Sequence, residues 1–361
     1  MRRNARQLVL STHRWTGLVL GLFIVLSAVT GIGLAFRPQL EPQVYAGLMQ
    51  SSRCARQAPL EELVAAGLAA HPSSTVNYIR VYGNPGAPAR LRFANNDTLY
   101  LDRCSGKVLG EQNRYRGLFG RIEQLHTMHY WNIGPKLAGS WALAFAVLMI
   151  CGGVYVVLPL LRARWKLVMQ LNWRLKRRAW NLNLHRTLAL YASPIFLMSA
   201  LTALPQAFEW VENSLYALDA TPTAAPPRSV AQTGPRISID AAWHEADKRW
   251  PQSRETLIHI PAKPDEAVEI IAIARDAWHD YARNYLYLDA HSGRVLSVRP
   301  YEQLGAGSKI YYAAISLHTG LPAGLVGQIT MLLSACTLIV VIYAGFASYL
   351  RNRQRRAGSA A

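Results

Sequence analysis

The chain has 361 residues, 51% of them hydrophobic and only 17% charged, with a formal net charge of +18. That is too apolar for an ordinary soluble protein. A charge so positive suits either nucleic acid or a membrane surface, and its distribution speaks against nucleic acid. Fourteen of the 39 basic residues gather at 2–6, 162–178 and 351–356, segments without Asp or Glu that each abut an apolar run, as cytoplasmic flanks of membrane helices do.

In chain order, Trp15–Phe36 is the first run long enough to span a hydrocarbon core as a helix, which takes ~20 residues. Its basic start would also suit a signal peptide, but it is longer than a usual signal core, and we expect it to stay attached. Residues 37–125 form a long connection. Helical Leu60–Ala70 is followed there by strand-like Thr75–Tyr82 and Ala89–Ala94, then by Leu-Tyr-Leu-Asp-x-x-Ser-Gly-Lys-Val-Leu at 99–109, two strands around a Ser-Gly turn. Cys54 and Cys104 lie in this segment, where a disulfide persists if the compartment is oxidising.

An interfacial segment and second membrane helix occupy 126–161, with Leu137–Leu161 as the span, and a basic cytoplasmic loop fills 162–184. The third span is Thr187–Phe208, within 185–208. A second long connection, 209–317, opens on the Pro-, Ala- and Thr-rich stretch 219–236, a linker. Helical Ile239–Arg249, strand-like Thr256–Ile260 and Ala267–Ala274, and a second Leu-Tyr-Leu-Asp-x-x-Ser-Gly-basic-Val-Leu at 286–296 follow. The last segment, 318–361, holds the span Leu325–Leu350 and a basic tail. Cys151 and Cys336 lie within apolar runs and read as small packing residues. Trp15, Trp131, Trp141 and Trp165 suit the aromatic belts of a bilayer.

The order is helix, α+β unit, helix, twice over, which marks an internal duplication. Residues 13–36 lie over 185–208 without a gap, matching His13-Arg14 with His185-Arg186, Ser27 with Ser199 and Thr30 with Thr202. Leu125-His126-Thr127 lies over Leu317-His318-Thr319, and continuing gaplessly sets Gly153 over Gly345. The expected fold is an α-helical membrane protein with four transmembrane helices and two extracytoplasmic α+β domains.

Ionisable side chains at membrane helices are functional candidates. Topology places His13 and His185 where helices leave the cytoplasm, and His126 and His318 at the opposite face. Paired neutral imidazoles suit a metal held axially from both sides; haem iron is the natural occupant of an apolar bundle, whereas zinc wants three or four ligands. Arg14 and Arg186 are candidates to pair with haem propionates. The alternative is four interfacial histidines bonded to neighbours or lipid. His129, three residues beyond His126, competes with it as the outer ligand, and Gly134-Pro135 and 321–324 are expected to interrupt the helices that follow. His71, His244, His259, His279 and His291 read as surface residues. No nucleotide-binding glycine loop is apparent.

His-Arg-Trp-x-Gly at 13–17, Asn-Leu-His-Arg at 183–186, the paired Leu-His-Thr and the Tyr-Leu-Asp-x-x-Ser-Gly hairpins resemble the PepSY-associated transmembrane proteins over nearly the whole chain. Within that family the resemblance is to inner-membrane ferrisiderophore reductases. It implies two b-type haems on His13, His126, His185 and His318, in a bacterial inner-membrane protein with both termini cytoplasmic and large periplasmic loops. Electrons from a cytoplasmic or quinol donor would reduce a ferric, ferrioxamine-like siderophore outside; membrane lipid is a partner and nucleic acid is not. PepSY modules also serve as regulatory or peptidase-inhibiting units, and a haem carrier without reductase activity is the remaining alternative.

Overall fold

A computed structural model describes residues 2–130, 133–220, 225–230 and 234–357. In chain order its elements are α1 (Arg2–Ala35), α2 (Arg37–Val44), α3 (Ala46–Met49), α4 (Leu60–Ala70), β1 (Val76–Tyr82), β2 (Ala89–Phe93), β3 (Asp97–Leu101), β4 (Val108–Asn113) and α5 (Leu118–His126). Next come α6 (Gly134–Gly152), a π-helical turn (Gly153–Val157), α7 (Leu158–Ala163), α8 (Trp165–Met169), α9 (Arg177–Ala207) and α10 (Glu209–Tyr216). The chain closes with α11 (Ile239–Arg249), β5 (Glu255–His259), β6 (Val268–Ile273), β7 (Arg283–Leu288), β8 (Val295–Arg299), α12 (Ala306–Thr319) and α13 (Gly324–Ala357). They form two compact units, one of residues 1–35, 122–212 and 317–361, the other of 36–121 and 213–316.

The first unit is a helical bundle. Four stretches are long and apolar enough to cross a membrane: Gln7–Ala35, Gly134–Ala163, Arg177–Ala207 and Leu321–Arg353. Within it α9 packs on α13 and α6, and α1 packs on the same two helices. Two of the helices run further than the apolar pattern suggests. His13 and His185 therefore lie inside α1 and α9, two or more turns from their starts, rather than at helix mouths. The basic 162–184 segment is not an open loop. Asn183, 1% exposed, accepts from Asn172 N and donates to the carbonyls of Leu167 and Gln170, and Thr187 Oγ1 donates to Val168 O. Trp141 stacks on Phe23 with ring centroids 4.3 Å apart, while Trp15 and Trp165 are exposed; Trp131 lies outside the described residues. Cys151 and Cys336 are free and exposed on the bundle rather than packed within it.

The second unit differs from the expectation of two separate α+β domains. Its strands make one antiparallel sheet in the order β4-β3-β2-β1-β5-β6-β7-β8. The junction is β1 with β5, where Ile79 faces Ile258. Pairing the two leading strands removes an unpaired edge from each set of four. Alternation then sends Ile79, Leu91, Leu99, Ile258, Ile270 and Leu286 to one face, where Leu60 and Leu63 of α4 and Ala242 and Ala246 of α11 complete a single buried core. The two helices cap each other. Asp240 accepts from Leu60 N and Glu61 N at 2.8 and 3.0 Å, and Glu61 accepts from Ile239 N at 2.7 Å, so each carboxylate satisfies orphan N–H groups of the other helix.

The repeated Asp is the anchor of each hairpin turn. Asp102 accepts from Ser52 N, Cys104 N and Ser105 N, and Asp289 from Val230 N, His291 N and Ser292 N. Gly106 and Gly293 take the positive φ (71° and 70°) that the turn demands. A disulfide joins Cys54 to Cys104 beside the first turn. His279 corrects the surface reading. It is 2% exposed, with Nδ1 accepting from Tyr281 N and Nε2 bonded to the Tyr301 hydroxyl, because Trp278 and Tyr301 close over the ring.

Burial works to raise the Asp102 carboxyl, but hydrogen bonds from Ser52 and Ser105 outweigh it and hold it well below the ordinary range; bonds from Ser292 do the same at Asp289. A depressed folded pKa contributes stability above the unfolded value and loses it as pH falls through the folded one. Asp102→Ala and Asp289→Ala are each expected to cost about 1–3 kcal/mol at neutral pH by stranding buried donors. In thermal unfolding, the gap to the parent chain closes only in strong acid, below the ordinary carboxylate range.

Candidate functional site: two facing histidine pairs

The bundle brings the four predicted histidines together in two pairs. His13 of α1 faces His185 of α9 with ring centroids 6.1 Å apart, and His126 of α5 faces His318 of α12 at the same 6.1 Å. Ser27 and Thr30, which contact His126, lie 14 and 17 positions beyond His13 on α1, or roughly 21–26 Å along a helix. The pairs therefore occupy opposite ends of the bundle.

Helix termination sets the outer pair. α5 ends at His126 and α12 one residue after His318. Met128 and Gly320, each two residues past its histidine, take positive φ (56° and 75°) and turn the chain. The expected interruptions are thus present between α5 and α6 and between α12 and α13. His129 is exposed, and it is His126 that stands opposite His318.

The ring nitrogens are assigned by their partners. His126 Nδ1 lies 3.1 Å from Ser27 O and 3.1 Å from Thr30 Oγ1, whose own hydroxyl donates to Leu26 O. His318 Nδ1 repeats this with Ser199 O at 3.0 Å and Thr202 Oγ1 at 3.1 Å, the hydroxyl donating to Met198 O. His185 Nδ1 lies 2.8 Å from Val341 O. A carbonyl only accepts, so in all three Nδ1 carries the hydrogen and Nε2 keeps its lone pair. Burial pushes the His318 imidazole down to about 4, with His126 opposite adding to the shift, and burial lowers His126 as well. Both rings are neutral at pH 7, the ligating form.

Glycines make room for the rings. A Cβ at Gly31 would stand 3.2 Å from His126 Cε1; at Gly152, 3.1 Å from His13 Nδ1; at Gly345, 3.2 Å from His185 Nδ1. The spatial counterpart of Gly345 is thus Gly152, not Gly153 as gapless alignment has it. The π turn after Gly152 takes up one extra residue, which restores the match by Leu158 and Leu350.

These residues fit a metal held from two sides. Metal-bound histidine characteristically donates its other N–H to a carbonyl, as three of the four do. With metal–imidazole bonds of ~2 Å, an ion between two rings needs ring centres roughly 6 Å apart. Among the described residues no group of three or more His, Cys, Asp or Glu assembles. Of the predicted arginines, Arg14 is exposed, and Arg186 donates to Leu167 O while its Nε, buried, has no hydrogen bond. Sequence reading missed Arg178 and Asn181, which share a face of α9 with His185 and keep Arg178 Nε and Asn181 Nδ2 buried without hydrogen bonds. It also missed Thr30, Thr202 and their serine carbonyls, although their identity between the repeated helices was the available signal.

Four apolar spans and a separate antiparallel sheet unit define a multi-pass membrane protein. The family model for the PepSY-associated TM region matches residues 10–352, nearly the whole chain, and the protein belongs to that family. No curated protein matches it at a significant level.

The tautomers are open to direct test. In 15N-histidine-labelled protein free of added metal, His126, His185 and His318 are expected to show the Nδ1–H tautomer, assigned by single His→Gln changes. An Nε2–H tautomer at these positions would contradict the assignment.

Proposed function

We propose that this chain is a di-haem electron-transfer protein of the bacterial inner membrane that reduces ferric siderophore iron on the periplasmic side. The observation that carries the reading is the two facing histidine pairs, with Nδ1 tied to a backbone carbonyl in His126, His185 and His318. Two halves with matched helices, matched Ser-Thr-His contacts and matched hairpins support an internal duplication, one histidine of each pair coming from each half. Both termini and the basic 162–184 segment face the cytoplasm by their charge.

His13 and His185 would hold the inner b-type haem, and His126 and His318 the outer one. A haem held there would supply one-electron chemistry. The protein's part is to keep Nε2 of His126, His185 and His318 unprotonated, fix those ring planes through Nδ1, and exclude water with the apolar helices. At the inner end Arg186, Arg178 and Asn181 offer donors for carboxylates, with Arg14 at the surface. His129 is an entry-side contact beside the outer pair. The acceptor iron gains one electron, and as Fe(II) it is a less charged, softer ion that hard oxygen donors hold less well. The donor is a cytoplasmic protein or a membrane quinol.

An absorption spectrum of the purified protein tests this. A Soret band and two haems per chain are expected. His13→Ala or His185→Ala removes one haem, His126→Ala or His318→Ala the other, and His129→Ala neither. Absence of extractable haem would sink the reading. Reoxidation of the dithionite-reduced protein by a ferric chelate separates a reductase from a haem carrier or regulatory module.

A further inference from the structure

The sheet face opposite α4 and α11 carries an unusual concentration of arginine. Alternation along β1 and β2 sends Arg80, Arg90 and Arg92 there, and Arg37 and Arg114 join them around a cavity of about 60 Å³. Arg80 and Arg90 sit directly opposite each other in the strand pairing, a like-charge arrangement that weakens a sheet. Two carboxylates only partly offset it. Glu41 pairs with Arg37 at 2.9 Å, and Glu255 lies 3.4 Å from Arg80. The Arg90 guanidinium stands over the rings of Tyr82 and Tyr100, 5.1 and 5.3 Å from their centroids, which fixes its plane. Arg90 Nε and Arg92 Nε are buried without a hydrogen bond, an expensive state for guanidinium donors.

The fold does not require this. In the matched Leu-Tyr-Leu-Asp strands, Arg90 faces Tyr100, whereas Glu269 faces Tyr287 and accepts from its hydroxyl at 2.8 Å. Arg92 faces Thr98, whereas Ile271 faces Tyr285. The second half also carries Arg283 and Arg299 on this face but folds the same way with Glu269 and Ile271 in the places of Arg90 and Arg92, so those two arginines serve something other than folding.

We propose that this arginine face binds an oxyanion group, carboxylate or phosphate, of a soluble anionic ligand. A cavity of about 60 Å³ has the volume of roughly two waters, enough for one such group of a larger molecule, and arginine forks match its geometry. Resting on the reductase reading, the acceptor is then a carboxylate-type ferric chelate rather than a ferrioxamine-like hydroxamate, which offers these arginines no anionic group.

The test uses the full chain in a zwitterionic detergent, titrated with citrate, ferric citrate and inorganic phosphate by calorimetry and followed by thermal shift. Citrate is expected to bind and raise the melting temperature. R90Q/R92Q weakens it at least about tenfold, and the charge-matched R275Q/R294Q leaves it unchanged. Should R90Q/R92Q lose a cooperative melt, R90K/R92K replaces it; it keeps the charge but not the fork and is expected to bind more weakly than the parent. No binding of citrate or phosphate, equal weakening in both Gln variants, or unchanged binding in the Lys variant overturns the proposal. So does binding seen only to phosphatidylglycerol vesicles, which would make a lipid headgroup the ligand. Citrate binding without reoxidation of reduced protein by any ferric chelate keeps the site and refutes the reductase reading. Reoxidation without citrate binding does the reverse.

Discussion

The bundle depends on how a polar imidazole is kept inside apolar helices. An unsatisfied ring N–H there is costly, and the chain meets it with a backbone carbonyl aimed at Nδ1: Ser27 for His126, Ser199 for His318, Val341 for His185. At the outer pair a threonine one turn on adds its hydroxyl oxygen, oriented because the hydroxyl hydrogen is engaged with its own helix. Satisfying Nδ1 leaves Nε2 as the reactive atom and fixes the ring plane. Close helix packing is then constrained at the rings, and glycine appears where another residue would touch them. His13 departs from this scheme, its Nδ1 buried against Gly152 without a hydrogen bond, so the inner pair is the less tightly held.

In the second unit the matched segments share one sheet and one core. Reciprocal capping by Asp240 and Glu61 ties the two helices, and β1–β5 pairing closes the sheet. Sharing a core lets each half be small, since neither four-stranded set has to bury an apolar face alone. The halves diverge on the other face, where Glu269 and Ile271 stand in the places of Arg90 and Arg92. A shared frame with divergent surfaces leaves the unshared residues as the place to look for specificity.

Much of this was legible in the sequence for local reasons. Leu60–Ala70 and Ile239–Arg249 are legible with their observed bounds because their apolar spacing is helical. The hairpins were marked by Asp-x-x-Ser-Gly, where the Asp takes the turn's N–H groups. The histidines stood out because apolar bias cannot produce a repeated His-Arg or Leu-His-Thr. Other features left no local mark. The β1–β5 pairing joins strands far apart in the chain, and alternation alone does not name a partner. A one-residue slip absorbed by a π turn is invisible to gapless alignment, so Gly153 stood in for Gly152. Arg80, Arg90 and Arg92 carry no local mark either, because only strand pairing sets them side by side.

The proposal at stake is that the two imidazoles at each end of the bundle would hold one haem iron. Low-temperature electron paramagnetic resonance of the oxidised, purified protein tests it most directly. Two low-spin ferric signals of bis-imidazole character are expected, one lost in His185→Ala and the other in His318→Ala. A high-spin signal as the main species, or a single low-spin signal unaffected by one of these changes, would contradict it.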